Sequence, residues 1–172
     1  MSADEEFWQF SLAVYRQPGV PAECLALQDS LGADVNLLLL CAYLGARRKA
    51  LLNQSDIVAV IAVSTEWHVD VVRSLREARQ ALKPWEEGRD PKLQGSARAL
   101  RTAVKTLELD AERIEHDLLA NWADSRNFET AASAEASITG NIRMLLEHYA
   151  SASGKTISMP QEVIAAAISQ AA

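Results

Sequence analysis

The chain has 172 residues, 49% of them hydrophobic and 23% charged, with a formal net charge of −6 at pH 7. That length suits a single domain with its own core, and that balance of apolar to charged residues excludes a disordered chain. The acidic excess argues against a general binder of nucleic acid or of anionic membrane, since both need a basic face.

Few Gly and Pro against abundant Ala and Leu lean the whole chain towards helix. The first helix is expected over 3–15, capped by Ser2 or Asp4, with Phe7, Phe10 (or Leu12) and Val14 on its apolar face. Pro18-Gly19-Val20-Pro21 turns the chain, Pro21 opens a short second helix and Gly32 closes it. Asp34 is a good N-cap for a third helix over 35–51. Its first half is apolar all round, which makes it the central helix of the core, and Gly45 permits close approach by a neighbour. Arg47, Arg48 and Lys49 fall at its negative end, where cations are favoured.

Residues 57–63 are rich in β-branched side chains, but no second strand-like run exists to pair with them, so a buried helical segment is expected. Ser64 or Thr65 then caps a helix over 66–83, with Trp67, Val71, Leu75, Ala78 and Leu82 on one stripe and Pro84 as its stop. Residues 85–95 read as the main loop, with Trp85 exposed in it. The clearest periodicity follows: Leu100, Val104, Leu107, Ala111, Ile114, Leu118 and Trp122, the inward seam of a long helix. A further helix spans 132–149 with Ile138, Ile142, Leu145 (or Leu146) and Tyr149 inward. Residues 1–152 thus form one helical domain, and 153–172 a linker and a short apolar helix. The fold class is all-α, a compact bundle of six to eight helices around a buried central one.

Cys24 and Cys41 lie among apolar residues and read as buried reduced thiols, not a disulfide framework. The N-terminus is acidic at Asp4, Glu5 and Glu6, unlike a signal peptide. The longest apolar runs, 37–44 and 57–63, fall far short of the ~18–20 residues that cross a membrane. A cytoplasmic protein is expected. No phosphate loop, paired-cysteine motif, zinc-protease motif or serine elbow is present, so no cofactor and no metal is expected, and the balance is against an enzyme.

Three polar constellations remain. Glu108, Glu112 and His116 stand at i, i+4 and i+8 on one helix face, a row that could supply ligands to a metal held between helices but that normally marks the solvated side. Arg73, Arg76 and Lys83 share one side of the preceding helix, with Arg79 off it. Antiparallel packing would set such cations against Glu108 and Glu112 as ion pairs, or leave them to bind a carboxylate or phosphate. Asp29, Asp34 and Asn36 flank the apolar helix start, and with His68 or Arg73 beside them could line a small polar cleft. The candidate ligand-binding set is therefore Asp29, Asp34, Asn36, His68, Arg73, Arg76, Glu108 and Glu112. Two functions compete. One is an interaction or regulatory protein that self-associates or docks a protein partner through the apolar tail 160–172, from Pro160 to Ala172. The other is a small anionic-ligand or metal-binding protein with a polar pocket between helices. Nucleic-acid binding through Arg47, Arg48 and Lys49 is the weakest reading.

Phe7-Trp8-x-Phe10, Tyr15, Pro18-Gly19-Val20, Cys24-Leu25-x-Leu27-Gln28-Asp29 and Asp34-Val35-Asn36-Leu37-Leu38 together resemble a proteobacterial family of small helical proteins whose function is not assigned. The similarity returns at Trp67-His68, Val71-Val72, Leu75-Arg76, Arg79 and Leu82-Lys83, more loosely at Glu108 and Glu112, and ends near Trp122. The resemblance implies a bacterial, cytosolic, all-helical protein and carries no catalytic role onto any residue.

Overall fold

The computed structural model describes the backbone of residues 3–171 and the side chains of residues 5–171. Helices α1 (Ala3–Tyr15), α2 (Val20–Leu31) and α3 (Val35–Arg48) open the chain. The Ser2 and Asp4 side chains proposed to cap α1 lie outside the described ones. Asp34 does cap α3: its backbone is extended and its carboxylate accepts the Asn36 amide at 2.8 Å. Every residue from Asn36 to Ala46 is buried, so α3 is the axis of the bundle. It stops at Arg48, short of the expected residue 51, because Lys49 turns left-handed at φ 50° and returns its N–H to Leu44. Arg48 at this negative end pairs with Asp124 at 2.5 Å and also donates to the Ala123 carbonyl.

Beyond that turn, β1 (Ala50–Leu51) pairs antiparallel with β2 (Glu129–Thr130), and this two-residue ribbon is the sheet of the described residues. α8 (Ala134–Ser153) lies directly on α3. Gly45 is the reason it can: a Cβ there would stand 2.6 Å from the Ile138 nitrogen and 2.8 Å from its Cα. Ile138, Ile142, Leu145 and Leu146 are all fully buried in the contact. Buried Asn141 closes the open backbone of the turn, accepting from the Leu52 amide and donating to the Ala50 and Cys41 carbonyls. These bonds satisfy groups that would otherwise be stranded away from water.

α4 (Gln54–Trp67) begins with a capping box between Asn53 and Asp56. It runs without a break through a π-helical segment (His68–Arg73) into α5 (Ser74–Ala81). The expected start at Ser64 or Thr65 is therefore wrong. The reciprocal Asn53–Asp56 cap satisfies two free amides upstream, and Thr65 instead bonds the Ile61 carbonyl inside the helix. Residues 57–63 are helical as expected, but only one side is buried: Ile57 and Val60 face the core while Val58 and Val63 face out.

A short helical turn, α6 (Lys83–Glu86), leads to α7 (Gln94–Asp124), 31 residues and roughly 46 Å long. Trp85 in that turn is half-buried under Arg89, not exposed as expected. α7 reverses the largest expectation. Leu100, Leu107, Ile114 and Leu118 are exposed, while Glu108, Glu115, His116 and Leu119 are buried with Ala111 and Trp122. The last helix, α9 (Gln161–Ser169), rests on α1, α2, α3 and α8, with Val163 and Ala167 fully inside the same core.

Candidate functional site

A cleft of about 510 Å³ opens between α1, α3, α5 and α7. Trp8, Leu12 and Tyr15 from α1, with Leu39 and Leu109, form its apolar walls. Ser11, Asp34, Asn36 and His116 form a polar floor, and Gln28, Arg76, Arg79, Lys105, Glu108 and Glu112 surround it. The volume lies within the ~300–1,000 Å³ usual for small-molecule sites.

The charged side of the cleft is already paired. Arg76 donates from Nε to Glu108 at 2.9 Å, from one terminal nitrogen to Gln28 at 2.8 Å and from the other to Glu112 at 2.8 Å. Arg79 grips both Glu108 oxygens. Burial pushes the Glu108 carboxyl up, but Arg79 and Arg76 outweigh it and hold the group below its ordinary value. At Glu112, burial outweighs Arg76 and the pKa rises. Arg76 and Arg79 share the α7-facing side because i and i+3 are neighbours on a helix. Arg73 and Lys83 point elsewhere, exposed and paired with Glu77 and Glu87, so the expected grouping of Arg73, Arg76 and Lys83 does not hold.

Behind the floor lies a buried polar chain built on Asn36. Its Nδ2 donates to Glu115 Oε2 at 2.6 Å, which leaves Oδ1 as the acceptor facing His116 Nε2 at 3.0 Å. His116 Nε2 must then carry the proton. Burial, the dominant influence, lowers the His116 pKa to about 4, so the ring is neutral at pH 7. A neutral ring protonated at Nε2 presents a bare lone pair at Nδ1. That atom is buried and unpartnered among the described residues, as is the Ser11 hydroxyl nearby on the same lining. Phe7 stacks on the ring at 4.3 Å and Trp8 meets it edge-on at 5.0 Å, which fixes its plane.

On the other side of Glu115, His68 Nδ1 stands 3.1 Å from Glu115 Oε1 and 3.3 Å from Asp34 Oδ2. Burial and then the Glu115 charge raise the Asp34 pKa to about 7. Burial would lower His68, but Glu115 and Asp34 outweigh it and raise that imidazole. Glu115 moves the opposite way: burial raises it, and bonds from His68, Asp34 and Asn36 bring it below its ordinary value. Like charges this close oppose one another, so Asp34 is the carboxyl that holds its proton more tightly and Glu115 the one that gives it up. The ligand-type atoms of Asp34, His68 and Glu115 all lie within 4.8 Å of one another, the one such group among the described residues.

Of the eight candidates from the sequence, Asp34, Asn36, Arg76, Glu108 and Glu112 line the cleft and His68 sits directly behind it. Asp29 is exposed on α2 and Arg73 is exposed beside Glu77, so neither joins them. The Glu108–Glu112–His116 face is not solvated: Glu108 is 5% and His116 2% exposed, because α1, α3 and α5 supply partners for each. Glu115 and Ser11 escaped the sequence reading altogether. The signal for Glu115 was present, since 108, 112, 115 and 116 mark a continuous polar helical face. For Ser11 there was none.

The family described as "Protein of unknown function (DUF2390)" matches residues 6–119, most of the chain and all of the elements that build the cleft. The chain belongs to this family. The match ends in α7, so β2, α8 and α9 lie outside it. Neither a curated protein nor a solved structure matches the chain. Among the described residues no helix is long and apolar enough to cross a membrane.

Proposed function

We propose that this family member binds a small uncharged molecule in the cleft, one with an apolar or aromatic body and a hydrogen-bond donor. The observation that carries the reading is the bare, buried Nδ1 lone pair of neutral His116, a residue of the cleft lining. A buried acceptor without a partner costs ~1–3 kcal/mol, and a donor on the ligand recovers it. Trp8, Leu12, Tyr15 and Leu109 supply the surface for the apolar body, and Ser11 a second polar contact. An anionic ligand is disfavoured, since Glu108, Glu112 and Gln28 already occupy the guanidinium groups of Arg76 and Arg79. Phenol and anisole test this, being alike in shape and differing in the donor. Phenol is expected to bind, by saturation-transfer NMR, ~10-fold or more tightly than anisole, and His116→Phe to abolish the difference. Equal binding of the two probes, or of neither, refutes the reading. The resemblance to a proteobacterial family supports a bacterial, cytoplasmic setting for this activity.

A separate observation favours self-association. Leu100, Leu107 and Ile114 on α7, with Leu93 at its cap, are each about half exposed and recur at intervals of seven, a period that suits packing on a like helix. A second copy of the chain offers the same row. This row, and not the tail 160–172, supports the contact, because α9 already buries its apolar side on its own body. Sedimentation of the full chain should give a dimer that Leu107→Glu converts to monomer. A monomer at every concentration rules it out.

A further inference from the structure

Asp34, His68 and Glu115 come from three separate places: the cap of α3, the first residue of the π-helical segment and the middle of α7. Each carboxylate is held in the same way. Asn36 occupies the outer oxygen of both, through its backbone amide to Asp34 Oδ1 at 2.8 Å and through its side chain to Glu115 Oε2 at 2.6 Å. The remaining oxygen of each, Asp34 Oδ2 and Glu115 Oε1, turns to the same nitrogen, His68 Nδ1, at 3.3 and 3.1 Å. Donor atoms bound at ~2.0–2.2 Å to one ion stand roughly 3.0–3.5 Å apart in tetrahedral or octahedral arrangements, so the spacing about His68 is that of a ligand set. Fixing the non-ligating oxygen from outside is how metal sites orient their carboxylates. The acidic side chains are 5% and 0% exposed, and a divalent cation would neutralise both where water cannot.

We propose that Asp34, His68 and Glu115 bind one divalent first-row transition ion of the Zn²⁺ or Mn²⁺ class. The imidazole nitrogen selects against Ca²⁺ and Mg²⁺, which take oxygen ligands, and the two carboxylates select against soft Cu⁺. Both cysteines are buried and away from the triad, so the ligand set is nitrogen and oxygen only. The site's ligands are distinct from the cleft's His116 contact, and it shares with the cleft lining Asp34 and its positioning residue Asn36.

The test uses the full chain stripped with chelator and titrated with Zn²⁺ and Mn²⁺ by calorimetry, and with Co²⁺ by visible absorption. One equivalent is expected to bind at micromolar affinity or better, raise the melting temperature and give a Co²⁺ spectrum without thiolate bands. His68→Gln and Glu115→Gln should each weaken binding about 100-fold, and Asn36→Ser about 10-fold through lost orientation. Circular dichroism of His68→Gln, at the half-buried position, checks that the fold survives; if Glu115→Gln unfolds, His68→Gln alone decides. No binding at millimolar ion, or binding unchanged in the folded His68→Gln protein, overturns the proposal. Phenol binding measured on the metal-free protein separates this failure from failure of the cleft reading.

Discussion

Asn36→Asp replaces one NH₂ by one oxygen, so packing around residue 36 is preserved and only the bond to Glu115 changes sense. In the native protein Nδ2 donates to Glu115 Oε2 at 2.6 Å, with both groups buried. The aspartate would set a second acceptor at that distance, and the pair could stay only by taking up a proton. Holding a carboxyl protonated at pH 7, when the unfolded chain releases it near pH 4, spans about three pH units and costs roughly 4 kcal/mol. The folded variant then binds a proton that the unfolded chain does not. Its stability must fall as pH rises, by about 1.4 kcal/mol per unit between pH 5.5 and 7.5. Urea denaturation of wild type and variant at those two values measures this directly. The gap should widen by close to 3 kcal/mol at the higher pH. An equal gap at both would mean that residue 36 does not face Glu115, and the buried chain from His116 to Asp34 would fall with it.

Gly45→Ala gains roughly 1 kcal/mol of helix propensity but drives a methyl into the Ile138 backbone, which cannot swing aside as a side chain can. A net loss of about 1–2 kcal/mol, or a fall of roughly 3–8 °C in calorimetric melting, is expected; an unchanged melting point contradicts the close α3–α8 approach. His116→Phe orphans Asn36 Oδ1 but also removes the unpartnered Nδ1, so a net loss of about 1 kcal/mol or less is expected at pH 7. Because the unfolded imidazole takes a proton below pH 6.5 and the folded one only near pH 4, wild type loses about 3 kcal/mol across that window as pH falls. The variant loses none of it, so the two melting curves should converge and then cross on acidification; a constant separation speaks against a neutral buried ring. Cys24 and Cys41, both pushed up to about 12 by burial, should ignore a disulfide reagent at pH 8 until guanidinium unfolds the chain. Rapid labelling of either native thiol would contradict their burial.

Most of the architecture was legible because it is encoded locally. Asp34 before an apolar run, Pro21 and Gly32 around α2, and Gly45 among large residues each state their role within a few positions of sequence. α7 was not legible in the same way. Its leucine row at 100, 107 and 114 has the better periodicity, yet the polar row at 108, 115 and 116 is the buried one. What decides between them is Arg76, Arg79, Asn36 and His68, brought from far along the chain to satisfy each buried group. A rule based on local hydrophobicity has no access to such partners. For the same reason the cleft candidates on α3 and α5 were recognisable as polar oddities, while Ser11, one serine on an amphipathic helix, carried no mark.

The π-helical segment between α4 and α5 has the character of a one-residue insertion in an ordinary helix. At 3.6 residues per turn, nine residues make about two and a half turns, so in an uninterrupted helix Trp67 and Arg76 would face opposite ways. Here both reach α7, Trp67 through the Ala111 carbonyl and Arg76 through Glu108 and Glu112. The wide π turns therefore absorb one added residue without a change of phase, and a single rod still presents His68 at one level of α7 and its guanidinium pair at another. Removing exposed Val69 would leave Trp67 and Arg76 eight residues apart, about 80° around a regular helix, so Arg76 and Arg79 should still reach the acids that hold them. An ancestral helix lacking that residue could already have built both polar clusters against α7, the added residue being taken up in the wide turns between them.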